Sequence, residues 1–376
     1  MKPGSFKNLT MFLGRRILPF LFTLLVSDFC PGQSPYQKLD DWMDEHAKDL
    51  GGRAILVIYK DSQVIYSKSV NEMTRQQKSI NRYVQKRMGN DPNHDDYSMD
   101  SRQPIASCSK WLSAALVMTF VDEGKLRLSD TVGTWLPVLS AHGKGNITIS
   151  ECLSHLTGIK EPPLRESLKK MKDIVTMDRA IEVIAEMPME GEHGKVFHYS
   201  SAGLQIAAAV IEKISSQSFE ELFAQRISAP LGLKNTDFGK KVPAFPAGGA
   251  SSTPEDYINF LRMILQKGNY NGKQVLSEKA VMEMELNRVG PGVRVAYTPA
   301  EAGDFGYGFG EWVPSSGTIG DPAEWVTSPG LFGSFPWVEN KRNYCAFLMT
   351  FYLKSKDRNS RYLSLKKLVD ETISRD

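Results

Sequence analysis

The sequence predicts an α/β fold of the α+β kind: one antiparallel sheet flanked by helices, with an inserted all-helical region. Strand-like runs occur near the start of the chain and again near its end. The stretch between them is dominated by helical periodicity. Both sets of strands bury their apolar faces most simply by pairing in one sheet, with the helical block inserted between them.

At the amino end, Tyr36 to Leu50 places Leu39, Trp42 and Met43 on one helical face. Ala54–Tyr59 and Val64–Lys68 follow as two β-rich runs split by Lys60-Asp-Ser-Gln63, which is a hairpin pattern. Residues 71–102 are polar and poor in aliphatics, so a long surface loop or a short helix is expected. Trp111 to Val121 is apolar almost all round, as in a buried helix. Gly124 is placed to end it. Thr148-Ile-Ser-Glu151 and Ser218-Phe-Glu-Glu221 carry capping-box spacing and mark two more helix starts. Leu204–Ile214 and Pro254–Gln266 read as further helices, the second followed by a Gly-Asn-Tyr-Asn-Gly turn at 268–272. Tyr307–Val313, Glu324–Ser328, Ser334–Glu339 and Tyr344–Tyr352 are the closing strands, before a last helix from Ser360 to Ile373. An active-site cleft is expected where the sheet meets the helical part.

The first residues differ from the rest. Lys2, Lys7, Arg15 and Arg16 precede an apolar run from Ile17 to Val26. That run is too short to span a bilayer and suits the core of a signal peptide. Residues 1–33 are therefore expected to be a signal peptide, an uncleaved anchor and a lipidated Cys30 being the alternatives. Residues 34–376 would form the domain, with the sheet part at about 34–70 and 300–376 and the helical part at about 103–300. The expected location is periplasmic or secreted, with the membrane touched only through the signal segment if it stays uncleaved.

Composition narrows the chemistry. Hydrophobic residues make up 41% and charged residues 24%, an ordinary globular balance. Net charge is +3 with no long basic run, which argues against a nucleic-acid partner. The six histidines show no HxH or HExxH grouping, so no metal is expected. With neither GKS/T nor GxGxxG, phosphate cradling is not expected, and no cofactor is predicted. Cys30, Cys108, Cys152 and Cys345 have no CxxC spacing and read as free thiols, buried in the mature domain, rather than a disulfide framework.

The reactive set begins at Ser107-Cys-Ser-Lys110, which follows Pro104-Ile-Ala106 and opens the apolar helix. Positions i and i+3 share a helical face, so Ser107 and Lys110 would meet. A serine hydroxyl is a weak nucleophile until a base removes its proton. A lysine among apolar side chains loses pKa through desolvation and can serve as that base. The Ser107 amide, at a helix amino end, would stabilise an oxyanion. Ser109, one residue from Lys110, would not face it.

Ile105-Ala-Ser-Cys-Ser-Lys-Trp111, Val121-Asp-Glu-Gly-Lys-Leu126, Ile147-Thr-Ile-Ser-Glu-Cys-Leu-Ser-His-Leu-Thr-Gly158 and Phe197-His-Tyr-Ser-Ser201 occur in that order. The chain resembles the class C β-lactamase-like serine hydrolases, a family that includes esterases, D-aminopeptidases and penicillin-binding proteins. The resemblance covers roughly Ala54 to Tyr352. It implies a β-lactamase/D,D-peptidase-like fold, catalytic Ser107, Lys110 and Tyr199, and a small-molecule ester, amide or peptide substrate. The family pattern Tyr-x-Asn is met at Tyr199 but ends in Ser201, whose hydroxyl would bind a substrate carbonyl with shorter reach. The family's Lys/His-x-Gly has its counterpart in Ser328-Pro-Gly330, which keeps the glycine and lacks the cation. Leu331 would supply the second oxyanion amide. The missing cation disfavours efficient β-lactam hydrolysis and suits an uncharged ester or amide. Wall D,D-peptidase activity and a degenerate, non-catalytic binder remain the alternatives. His155 and His198 read as structural.

Overall fold

The computed structural model describes residues 34–87, 93–163, 166, 174–239, 243–300, 302–314, 323–353 and 356–374. The chain divides into two units, Met1–Pro35 and Tyr36–Asp376, and the architecture below is that of the second. The expected signal segment, and Cys30 within it, lie outside the described residues.

The expected sheet is present. Strands β1 (Arg53–Lys60) and β2 (Gln63–Asn71) form the amino-terminal hairpin. The closing strands are β3 (Gly306–Tyr307), β4 (Trp312–Val313), β5 (Trp325–Thr327), β6 (Phe335–Glu339) and β7 (Tyr344–Thr350). They pair antiparallel in the order β2-β1-β7-β6-β5-β4-β3, so β1 meets β7 and the two ends of the chain close one sheet.

Register explains why β1 is apolar at almost every position. Ile55, Val57 and Tyr59 face one core with Met349, Phe347 and Cys345 as their β7 partners. Ala54, Leu56 and Ile58 face the other, beside Leu348, Ala346 and Tyr344. A strand covered on both faces has no polar side to present. The second core is closed by helices α1 (Gln37–His46), through Leu39, Trp42 and Met43, and α7 (Arg358–Ile373), through Tyr362, Leu365 and Val369. The first is filled by the helical region, led by α3 (Ser109–Asp122), with Trp111, Leu112, Leu116 and Phe120 buried.

Further helices bear on the site: α4 (Ile149–Leu153), α5 (Ala202–Ser215) and α6 (Pro254–Leu265). The capping boxes at Thr148 and Ser218 form with both reciprocal hydrogen bonds. Cys108, Cys152 and Cys345 are buried free thiols.

Three local expectations change. The polar stretch after β2 contains a 13-residue helix, α2 (Arg75–Arg87), started by a reciprocal Thr74–Gln77 cap. The single strand expected over Tyr307–Val313 is a tight hairpin, in which Trp312 pairs with Tyr307. Gly310 makes the turn at φ +78°, where a Cβ would lie 2.5 Å from the Lys110 carbonyl oxygen. Ser107 does not open α3 directly, because it sits in a 3-10 turn, Ala106–Cys108, and α3 begins at Ser109.

Candidate active site

The segment that carries Ser107 is pinned on several sides. Gln103–Pro104 pairs with Ser251–Ser252, and the Ile105 amide donates to Ala250 O at 3.0 Å. Ala106 then adopts φ +47°, a left-handed conformation that costs a residue with a Cβ about 1 kcal/mol or more. The turn is held by Ser109, whose hydroxyl donates to Ala106 O at 2.6 Å and accepts from the Ala250 amide at 3.0 Å. Ser109 is fully buried and committed to this tie. Tyr257 Oη donates to Cys108 O at 2.9 Å from α6. Ser107 is left half-buried at the end of this scaffold.

Lys110 reaches it. Its Nζ donates to Ser107 Oγ at 3.3 Å and to Ala247 O at 2.7 Å, and the residue is 3% exposed. Burial pushes its pKa from 10.5 down to about 8, while the Glu161 carboxylate pulls the other way. At pH 7 roughly one such lysine in ten is deprotonated, enough to present a base. One turn of helix would bring i and i+3 together, and the 3-10 turn keeps that contact.

Tyr199 closes the set. Lys110 Nζ lies 4.6 Å from the centre of its ring. The Tyr199 amide donates to Tyr297 O at 3.1 Å, just after the strand Val196–His198. Its ring stacks on Trp312 at 5.1 Å, tilts against His155 at 4.6 Å and meets Tyr307 edge-on at 5.9 Å. This aromatic box fixes the ring beside the lysine.

The remaining residues behave differently from one another. Ser201 stands at the start of α5, where its amide and that of Ala202 donate to Glu161 Oε2, the latter at 3.3 Å. Ser328 is 2% exposed, and its hydroxyl donates to Gly310 O at 2.9 Å with Ser107 O also within 3.4 Å, placing it between the Ser107 segment and the β3–β4 turn. Gly330 packs so closely that a Cβ would lie 2.3 Å from Ile105 O and 3.1 Å from Cys108 Sγ. Leu331 follows with its side chain exposed and its carbonyl accepting from Arg358 at 2.9 Å.

Neither expected structural histidine is offered to Ser107. His155 is buried with φ +59°, and its Nδ1 accepts from the Ser200 amide at 3.4 Å. Burial first, and the Lys110 charge second, hold it well below the ordinary imidazole pKa, so it stays neutral. His198 Nδ1 meets Glu190 Oε2 at 2.5 Å.

Glu161 was missed by sequence reasoning. It follows the Gly158 turn, and its carboxylate suits the amino end of α5, where unpaired amides and the helix dipole favour an anion. Only its position after the motif ending at Gly158 marks it in the sequence. A separate cavity of about 650 Å³ lies among Thr176, Glu212, Ser218 and Pro243, and none of Ser107, Lys110 or Tyr199 lines it.

A hydroxyl beside a lysine of lowered pKa, with a tyrosine against the same lysine, is an arrangement suited to acyl transfer. The family model described as Beta-lactamase matches residues 39–369. Protein Rv1367c of Mycobacterium tuberculosis is 24% identical over 287 residues, covering 62% of this chain and 71% of that protein. Penicillin-binding protein 4 of Amycolatopsis lactamdurans is 31% identical over 137 residues, 36% of this chain and 35% of its own. The structure of EstCE1, a hydrolase with promiscuous acyltransferase activity, superposes with a TM-score of 0.70 at 19% identity, covering 89% of this chain and 98% of that one. At that identity the likeness shows the fold alone.

Proposed function

Because the chain belongs to the Beta-lactamase family, we propose that it is an exported serine hydrolase cleaving an ester or amide bond through an acyl-enzyme on Ser107. The observation that carries this reading is the 3.3 Å contact between Ser107 Oγ and a buried lysine whose pKa is pushed down to about 8. In the proposed cycle, Ser107 Oγ attacks the substrate carbonyl carbon. Its proton passes to neutral Lys110, with Tyr199 beside the lysine to share it. The backbone amides of Ser107 and Leu331 hold the developing oxyanion. Collapse breaks the bond to the leaving alcohol or amine, which takes the proton from Lys110. Water then attacks the acyl-enzyme, giving its proton to the Lys110–Tyr199 pair, and the acid leaves as Ser107 regains a proton.

Substrate charge follows from the third segment. Ser328 places a buried hydroxyl, its proton already committed to Gly310 O, where the resemblance implies a cation. No positive group at that position awaits a carboxylate, which favours an uncharged ester or amide over a β-lactam. The test is turnover of p-nitrophenyl acetate or butyrate against nitrocefin and a D-Ala-D-Ala peptide. Ester turnover that Ser107→Ala abolishes, with little nitrocefin hydrolysis, is expected. Dominant release of D-alanine would replace this reading with a wall peptidase. Export is read from the basic residues and the Ile17–Val26 run, and cell fractionation checks it.

A further inference from the structure

Helix α2 is built the wrong way round for a helix that serves only its own core. Its buried positions are Asn81, 5% exposed, and Gln85, 6% exposed. Of its apolar residues, Val84 is half-buried, while Ile80 and Tyr83 stand out at 53% and 64% exposed. A helix packed on a protein interior normally buries its apolar stripe and shows its amides. The cations add to this. Residues 73–90 carry five Lys or Arg and no acid, in a chain whose totals of 46 basic and 43 acidic residues nearly balance.

At 100° per residue, Arg75, Arg82 and Lys86 fall within about 40° of one another on the helix surface, with Tyr83 beside that row and Ile80 one step further round. All five are exposed. The helix is held in place from beneath. The Thr74–Gln77 cap fixes its start, and the Lys78 carbonyl contacts His94 Nε2 at 3.1 Å. Burial chiefly keeps the His94 imidazole below its ordinary pKa, against the pull of the Lys78 carbonyl, with the Arg53, Arg82 and Lys78 charges adding to the fall.

We propose that the exposed face of α2 is a docking surface for an anionic lipid bilayer, with Arg75, Arg82 and Lys86 on headgroup phosphates and Ile80 and Tyr83 set into the interfacial layer. A row of cations flanked by an apolar pair on one helix matches what a headgroup layer offers, negative charge over shallow hydrocarbon. A folded acidic protein would offer the charge, but it would need a matching pocket for two separate apolar side chains. Docking here would hold the enzyme at the membrane surface independently of any amino-terminal segment.

The test is co-sedimentation of the full chain with vesicles of mixed phosphatidylglycerol and phosphatidylcholine, against vesicles of phosphatidylcholine alone. Each cation at an anionic surface is worth roughly fivefold in partitioning. The variant Arg75→Glu/Arg82→Glu/Lys86→Glu is therefore expected to lose at least tenfold, and Ile80→Ser/Tyr83→Ser severalfold. Added salt should weaken the parent and leave the charge-reversed variant little changed. Unchanged thermal unfolding and ester turnover in solution would show both variants folded. Equal partitioning of parent and charge-reversed variant, absence of binding to the anionic vesicles, or binding only to a soluble acidic macromolecule would each overturn the proposal.

Discussion

Replacing Lys110 by methionine should remove activity and leave the protein at least as stable. Lys110 is 3% exposed, and burial lowers its pKa from 10.5 to about 8. That fall corresponds to a cost of roughly 3 kcal/mol for keeping the lysine charged in the fold. Methionine fills similar volume without charge, but it leaves Ala247 O without the Lys110 hydrogen bond, a loss of about 1–3 kcal/mol. The net change at pH 7 is therefore between about 0 and 2 kcal/mol in favour of the variant. The pH dependence carries the sharper signature. Between pH 8 and 10.5 the unfolded lysine holds a proton that the folded one has released. Parent stability thus rises with pH through that window, by up to about 1.4 kcal/mol per pH unit. The penalty is fully present below about pH 8 and relieved by about 10.5, so the variant's advantage should shrink across this range. Urea unfolding of both proteins at pH 7 and pH 10, with burst-phase kinetics on a p-nitrophenyl ester, measures both quantities. A variant that loses more than about 2 kcal/mol at pH 7, or whose difference from the parent does not change with pH, would refute the desolvated-lysine argument.

Other substitutions test the scaffold. Gly330→Ala places a methyl 2.3 Å from Ile105 O and should cost about 1–3 kcal/mol in denaturant unfolding while lowering turnover through displacement of the nucleophile turn. Glu161→Gln removes the anion that raises the Lys110 pKa, so the acidic limb of the kcat/KM profile should move to lower pH. The same change should destabilise α5 by about 0.5–1 kcal/mol, read as a lower urea midpoint. Ser328→Ala loses its hydroxyl bond to Gly310 O and should cost about 1 kcal/mol, with turnover reduced but still measurable by ester assay.

Features written in local chemistry were legible in the sequence. The caps at Thr148 and Ser218 need only a hydroxyl and a carboxylate three residues apart, and both form as expected. The all-round apolar character of Trp111 to Val121 announced a helix buried on every side. Closure of the sheet by the two chain ends followed from burial, although the β1–β7 pairing that achieves it depends on contacts almost 300 residues apart, which no local pattern encodes. The Tyr307–Val313 hairpin was missed because its aromatic composition outweighed the glycine at position 310, whose role depends on the close approach of Lys110. Helix α2 is ambiguous between loop and helix in the sequence because Ile80 and Tyr83 point outward and Asn81 and Gln85 inward, so the usual periodic signal of a packed face is inverted. At the site, Ser107, Lys110 and Tyr199 were named from motif order, and the structure brings Lys110 against the other two. Glu161 escaped because a carboxylate acting on α5 from 40 residues upstream leaves no spacing rule behind.

The central claim is that Ser107 is an activated nucleophile. Intact-protein and peptide mass spectrometry after treatment with a fluorophosphonate tests it most directly, with Ser107→Ala alongside. A single adduct on Ser107 is expected, absent in the variant and slowed at least a hundredfold by Lys110→Met, as loss of a positioned base implies. A folded protein that takes no label, or takes it on another residue, would contradict it.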